Sequence, residues 1–263
     1  MAKTIDGHIG GHSAIIVAGG ASGIGFATIR RLLDHWPHVQ IIAADIHAGP
    51  LKEIQSEYGD DRLLVLEADI TSAESAGRLV EASASWAPTL TGLVVTAGNS
   101  TNHASLDMTP EQWKEVRDCH LDGHFYMNQA FARYLVKNKT GGAIVNFSSV
   151  AQSFAWPRRL PYAVAKAGIN ALTRTLAVEW AEFGIRVNAV APGYVNTAMV
   201  INAQNAGYLD PSIVGMHAMG RFSEPDEIAA GVQFLLSEDA SFITGEILTI
   251  DGGFSVKKIP WHS

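Results

Sequence analysis

Short apolar runs alternate with longer amphipathic stretches along the whole chain. The apolar runs fall at 14–17, 39–44, 62–66, 90–96, 143–147, 185–191 and 246–250. They are rich in Val, Ile, Leu and Ala and lack the polar alternation of a half-exposed sheet, so each reads as a strand covered on both faces. Apolar positions at helical spacing follow Gly25 and recur over 51–60, after Thr71, over 110–137, around Tyr162 and over 225–236. Strand and helix take turns throughout, which predicts an α/β fold: a doubly wound parallel sheet of about seven strands flanked by helices on both faces.

Local signals refine the pattern. Thr71, with Glu74 three residues on, predicts a capping box, and Thr109-Pro110-Glu111-Gln112 predicts the start of one long helix to Lys137, punctuated by Gly123. Phe125, Tyr126, Phe131 and Tyr134 on that helix read as packing groups. Residues 198–222 are irregular, with Met199, Val200, Tyr208, Leu209, Met216 and Met219 scattered among Asn, Gly and Pro, and are expected to form a mobile loop over a substrate. With no internal repeat and no linker, residues 1–263 read as a single dinucleotide-binding and catalytic domain.

Composition narrows the partners. Acidic residues outnumber Lys plus Arg by 26 to 19, and the net charge is -7. There is no basic block and no interleaving of basic with aromatic residues, so nucleic acid is not an expected partner. Cys119 is the only cysteine, which excludes an intrachain disulfide and a cysteine-rich metal site; no metal is expected. The first 13 residues are polar and glycine-rich, and no 18-residue apolar span follows, so a cytoplasmic protein without a membrane segment is expected.

Four stretches carry chemistry. The strand at 14–17 runs into Ala18-Gly19-Gly20-Ala21-Ser22-Gly23-Ile24-Gly25 and then a helix, the context in which backbone amides and a helix N-terminus cradle a pyrophosphate. Asp45 ends the second strand 20 residues beyond Gly25, followed by Ile46 and by no cation until Lys52. A carboxylate there accepts both ribose hydroxyls of the adenosine half and repels a 2'-phosphate, which favours NAD over NADP. Tyr162 and Lys166 stand at i and i+4, so that an ammonium would favour the phenolate, and a lowered tyrosine exchanges a proton with an alcohol or carbonyl. An ordinary solvated helix pair has the same spacing. The fifth strand delivers Ser148 and Ser149 to the carboxyl edge of the sheet, where ligands bind in open α/β folds.

Taken together, Gly19/Gly23/Gly25, Asp69, Ala97-Gly98, Ser149, Tyr162-x-x-x-Lys166, Pro192-Gly193 and Thr197 resemble the short-chain dehydrogenase/reductase family, in its compact subgroup, over about residues 13–254. The resemblance implies a Rossmann-like domain, commonly a homotetramer, that moves hydride between a nicotinamide cofactor and an alcohol or carbonyl. It implies Tyr162 as proton donor or acceptor, Ser149 as hydrogen-bond partner of the substrate oxygen, and Lys166 as the group that holds the nicotinamide ribose and lowers the tyrosine pKa. It further implies Asp69 and Ile70 beside adenine, and Ala97, Gly98, Pro192, Gly193, Val195 and Thr197 along the rest of the cofactor. Three positions depart from the family pattern. Ala18 stands where a threonine is usual, Val95-Thr96 replace two asparagines, and His120 replaces the catalytic asparagine. There His120 is either a relay that passes protons near neutral pH or a packed helix residue.

The expected substrate pocket draws on Gln152, Phe154, Trp156, Tyr194, Met199 and Val200, with His103 as a polar handle, and fits a small to medium cyclic or aromatic secondary alcohol or its ketone. Arg158 and Arg159 sit at a loop tip, expected to be solvated there, with contact to an anionic group as the alternative. The expected function is therefore an NAD-dependent oxidoreductase acting on such an alcohol or ketone. The alternatives are a 3-oxoacyl thioester reductase and a catalytically inactive NAD-binding scaffold.

Overall fold

A computed structural model of the chain describes residues 13–258 apart from 88, 100, 101 and 208. The polar N-terminus, Tyr208 and the Pro-Trp-His tail lie outside the described residues. Seven strands, β1 (Ala14–Ala18), β2 (Gln40–Asp45), β3 (Leu63–Glu67), β4 (Leu90–Val95), β5 (Gly142–Phe147), β6 (Ile185–Pro192) and β7 (Ile247–Ile250), form one sheet in the order β3-β2-β1-β4-β5-β6-β7. Every pairing is parallel.

The side-chain period of two divides each strand between two cores. Ile15 and Val17 face one core with Ile29, Leu32 and Leu33 of α1 (Gly23–His35), Ile54 of α2 (Leu51–Tyr58), and Ile228 and Val232. Ala14, Ile16 and Ala18 face the other with Leu79 and Val80 of α3 (Ala73–Trp86), and with Met127, Phe131 and Leu176. This two-sided burial is why the strands read as continuous apolar runs. The order reverses between β1 and β4, and the crevice at that switch point opens at the carboxyl ends of the strands.

Two local expectations need correction. Ser72, not Thr71, caps α3: its hydroxyl accepts the Ser75 amide at 3.3 Å, while Glu74 pairs with Arg78 instead of closing a capping box. The helix predicted over 110–137 is two helices, α4 (Pro110–Arg117) and α5 (Gly123–Asn138), joined by a π-helical turn at Asp118–Asp122. Its start is as expected, with Thr109 and Gln112 in a reciprocal capping box. One extra residue per turn at 118–122 rotates His120 inward, and such turns occur often at functional sites. Residues 198–222 contain α7 (Ala198–Asn205), capped by Thr197, and a 3-10 turn at Pro211–Met216. The remaining helices are α6 (Leu160–Trp180) and α8 (Pro225–Leu236).

Candidate active site

The glycine turn sits where β1 meets α1. Gly19 has φ +90° and a Cβ there would lie 2.4 Å from the Ala97 nitrogen; a Cβ on Gly25 would lie 2.1 Å from the Gly19 oxygen. Only glycine lets the turn, the helix and the end of β4 approach this closely. Gly23, at φ +53°, opens α1, and Ser22 makes no side-chain cap, so the first amides of a 13-residue helix face the crevice. A cradle of this kind fits a pyrophosphate. Thr96 replaces the bracing expected of asparagine: its hydroxyl reaches the Ala18 carbonyl at 3.0 Å and the Gly19 carbonyl at 2.8 Å.

Asp45 stands at the end of β2, half-buried. Its Oδ2 accepts the Ala21 amide at 3.0 Å and its Oδ1 the His47 amide at 3.1 Å, which ties it to the glycine turn. Each oxygen keeps a lone pair for a ribose hydroxyl. Ile46 beside it is exposed and Ile70 is buried, while Asp69 accepts the Thr71 amide at 2.9 Å. Ala97 and Gly98 follow β4, Pro192 ends β6 and Gly193 follows it, and Thr197 caps α7 within 3.3 Å of the position a Gly23 Cβ would take. The predicted nucleotide residues thus gather along one edge of the sheet.

Ser149, Tyr162 and Lys166 meet beside that edge. Ser149 is buried, accepts the Ala151 amide at 3.1 Å and lines the same cavity as Tyr162. The Lys166 ammonium lies 5.6 Å from the centre of the Tyr162 ring and donates to the Phe147 carbonyl at 2.7 Å. Burial lowers the Lys166 pKa to about 8. The expectation that Lys166 lowers the tyrosine is not what this geometry gives. Burial raises Tyr162 above its usual value, and the groups that oppose the rise are the Ser149 hydrogen bond and the charge of Arg159.

His120 packs against Tyr162, ring centres 5.1 Å apart and nearly perpendicular. Its Nε2 meets the backbone of Asn99, 2.9 Å from the amide nitrogen and 2.8 Å from the carbonyl oxygen, and its Cε1 occupies the space over Gly98. Burial and the nearby Lys166 charge push its pKa down to about 3, so the ring is neutral at pH 7 and is not an imidazolium relay. His120 is thus a buried residue of the π turn, packed edge-on to Tyr162. Replacing it by asparagine is expected to leave the shape of the pH–rate profile between pH 5.5 and 8 unchanged. An acid limb near pH 6.5 that disappears in His120→Asn would overturn this assignment.

A cavity of about 130 Å³ adjoins Ser149 and Tyr162. Trp156, Tyr194, Met199 and Val200 line it as expected; Gln152, Phe154 and His103 do not, and Phe154 instead stacks in an aromatic cluster with Trp156 and Phe254. Asn99, Val150, Arg159, Ala203 and Leu209 line it as well. A larger, charged depression of about 600 Å³ runs outward from Gly23 and Thr197 between α1 and α8, away from Tyr162. The two arginines of the loop tip part company: Arg158 is exposed, has φ +66° and donates from Nε to Asn102 Oδ1 at 2.9 Å, whereas Arg159 is half-buried on the cavity wall. A left-handed arginine costs on the order of 1–3 kcal/mol, which its two bonds to Asn102 help offset.

Residues 19–255 match the family profile described as enoyl-(acyl carrier protein) reductase. The chain is 36% identical over 242 residues to galactitol 2-dehydrogenase (L-tagatose-forming) of Cereibacter sphaeroides, covering 91% of this chain and 94% of that one. It is 34% identical over 242 residues to an NAD-dependent glycerol dehydrogenase of Listeria innocua serovar 6a, covering 92% and 93%. Among solved structures, ElxO with NADP bound superposes with a TM-score of 0.84 at 27% identity, over 93% of this chain and 98% of that one.

Proposed function

The chain belongs to the short-chain dehydrogenase/reductase family, and from that premise we propose that it is an NAD-dependent oxidoreductase of small to medium secondary alcohols and ketones, with cyclic or aromatic compounds preferred. The observation that carries the proposal is the meeting of Ser149 and Tyr162 on one cavity, with the Lys166 ammonium 5.6 Å from the centre of the Tyr162 ring. When bound, the nicotinamide supplies or accepts the hydride. Gly19, Ser22, Gly23, Ile24, Gly25 and Asp45 would hold its adenosine and pyrophosphate half, and Gly193, Val195, Thr197 and Lys166 its nicotinamide half.

The chain's own residues handle the proton. Tyr162 gives a proton to the carbonyl oxygen in reduction and takes it from the alcohol in oxidation. Ser149, fixed by the Ala151 amide, donates to the same oxygen and stabilises its developing charge. Lys166 would hold the ribose hydroxyls and, as a cation 5.6 Å from the Tyr162 ring, would favour the phenolate. Trp156, Tyr194 and Leu209 keep water out, and residues 198–222, which carry Met199 and Val200 on α7, act as the lid.

Support for NAD is Asp45 at the end of β2 with no Lys or Arg among residues 46–51. The glycerol dehydrogenase relative is named for NAD and the ElxO structure holds NADP, so the fold takes either and the choice rests on Asp45. Apolar residues exposed on α5, α6 and α8, among them Phe125, Val164, Val178 and Phe234, support a homotetramer; the acidic composition and lone cysteine support a cytoplasmic setting. Initial rates with NAD and NADP across cyclic, aromatic and open-chain secondary alcohols, with an acyl thioester included, test the proposal. NAD is expected to lead by about tenfold or more in kcat/KM. Equal or greater efficiency with NADP would sink the cofactor assignment, and a preference for the thioester would sink the substrate class.

A further inference from the structure

The apolar wall of the substrate cavity belongs to neither core of the sheet. It is part of a third cluster, in which Val150, Tyr194, Leu209 and Phe254 are buried and Trp156, Val200 and Ala203 pack against them. The wall thus comes from the segments that follow β5 and β6 and from residues 200–209, so its shape is set by loop and α7 side chains.

Most of that wall is held by its own neighbours. The Tyr194 ring centre lies 5.3 Å from that of Trp156, 5.5 Å from Phe222 and 5.6 Å from Phe254, and Trp156 stacks on Phe154 at 6.2 Å. Val150 follows Ser149 directly and opens a 3-10 turn. Met199 is half exposed and unbranched, so it yields to a ligand. What remains is the C-terminal end of α7. There Ala203 is the smallest side chain of the wall, and Leu209, which is buried, returns to it, its amide donating to the Ala203 carbonyl at 3.2 Å.

We propose that Ala203 and Leu209 set the size of the substrate: the space in front of Ala203 takes one six-membered ring, and Leu209 closes it to a second, fused ring. The inference rests on the oxidoreductase reading and narrows its substrate to a monocyclic secondary alcohol or ketone, with its oxygen at Ser149 and Tyr162. An apolar protein cavity of about 150 Å³ holds one benzene, and the cavity here, about 130 Å³, is of that order. Walls that are close-packed from behind do not spread for further atoms, and forcing several carbons against them costs more than their burial returns.

The test follows reduction of 2-butanone, cyclohexanone and the bicyclic 2-tetralone at saturating reduced dinucleotide, in wild type, Leu209→Ala and Ala203→Leu. In wild type cyclohexanone is expected to exceed 2-tetralone in kcat/KM by about tenfold or more, since even one methylene in an apolar pocket is worth about 10–200-fold. Leu209→Ala is expected to raise the ratio of 2-tetralone to cyclohexanone by about tenfold, and Ala203→Leu to lower the ratio of cyclohexanone to 2-butanone by about tenfold. The two substitutions move the size limit in opposite directions, whereas a lid that merely loosens lowers the rates on all three ketones together, so the ratios are the readout. Should Leu209→Ala not fold, the Ala203→Leu ratio decides alone. A wild-type enzyme that takes 2-tetralone as well as cyclohexanone, or a ratio that stays within about threefold of wild type in either folded variant, overturns the size limit. The oxidoreductase reading survives that failure if any of the three ketones is turned over. If none is turned over with NADH or NADPH, that reading falls and the size limit falls with it.

Discussion

Tyr162→Phe is expected to lower kcat by about 10³-fold or more while leaving the dinucleotide Kd within about threefold of wild type, since general acid–base catalysis supplies 10²–10⁴ and the phenol also positions the substrate oxygen. The substitution removes one oxygen and little else. The ring keeps its edge contacts with His120 at 5.1 Å and Trp156 at 6.5 Å, and Ser149 keeps its bond to the Ala151 amide. Folding stability should therefore stay within about 1 kcal/mol of wild type, the net worth of one hydrogen bond. Single-turnover rates with pre-bound dinucleotide separate the chemical step from binding. Turnover within tenfold of wild type would show that another group carries the proton, and no other described side chain combines the reach and the acidity to do so at the Ser149 position: His120 is neutral at pH 7 and turned toward Asn99.

The sheet was legible because its strands are buried on both faces. Continuous apolar runs such as 14–17 and 143–147 have no competing reading once glycines or helical patterns bound them. The glycine turn and Asp45 were legible for a related reason: close approach of backbone leaves glycine no substitute at 19 and 25, and the end of a strand fixes the position of its last side chain. What the sequence hid depends on backbone choices that side-chain periodicity does not record. A π turn at 118–122 adds a residue without disturbing the apolar spacing on either side, so 110–137 looks like one helix. Thr71 and Ser72 are both good caps, and only the structure picks between adjacent candidates. Arg158 and Arg159 are chemically identical, and it is the left-handed φ of Arg158 that sends one outward and leaves the other on the cavity wall. Spacing put Lys166 on the same helix face as Tyr162, yet it says nothing of where the ammonium points, and here it points at Phe147.

Lys166→Met is expected to abolish turnover and to make the protein more stable at pH 7. Lys166 is 4% exposed, and burial lowers its pKa from 10.5 to about 8, so the fold holds a charge it disfavours. The difference corresponds to about 3 kcal/mol, of which about 1 kcal/mol returns on losing the bond to Phe147, leaving a net gain of about 2 kcal/mol for the methionine variant. For a chain of this size that is a rise in Tm of several degrees, on the order of 4–8 °C. The pH dependence gives an independent readout. Below pH 8 both folded and unfolded chains hold the Lys166 proton, and this group gives no slope. Between pH 8 and 10.5 the unfolded chain holds more protons at this position than the fold, so wild-type stability rises with pH, and the rise is absent in Lys166→Met. Cys119, Tyr58 and Tyr162, all raised by burial, act in the opposite direction at the upper end of this range in both chains, so the readout is the difference in slope between wild type and Lys166→Met from pH 7 to 9.5, by urea denaturation without dinucleotide, which would add stability by mass action. A methionine variant that is less stable at pH 7, or that keeps the wild-type slope, would show that the buried ammonium is compensated in the fold. The expected result instead makes Lys166 a group kept for cofactor and proton chemistry at the expense of the fold that surrounds it.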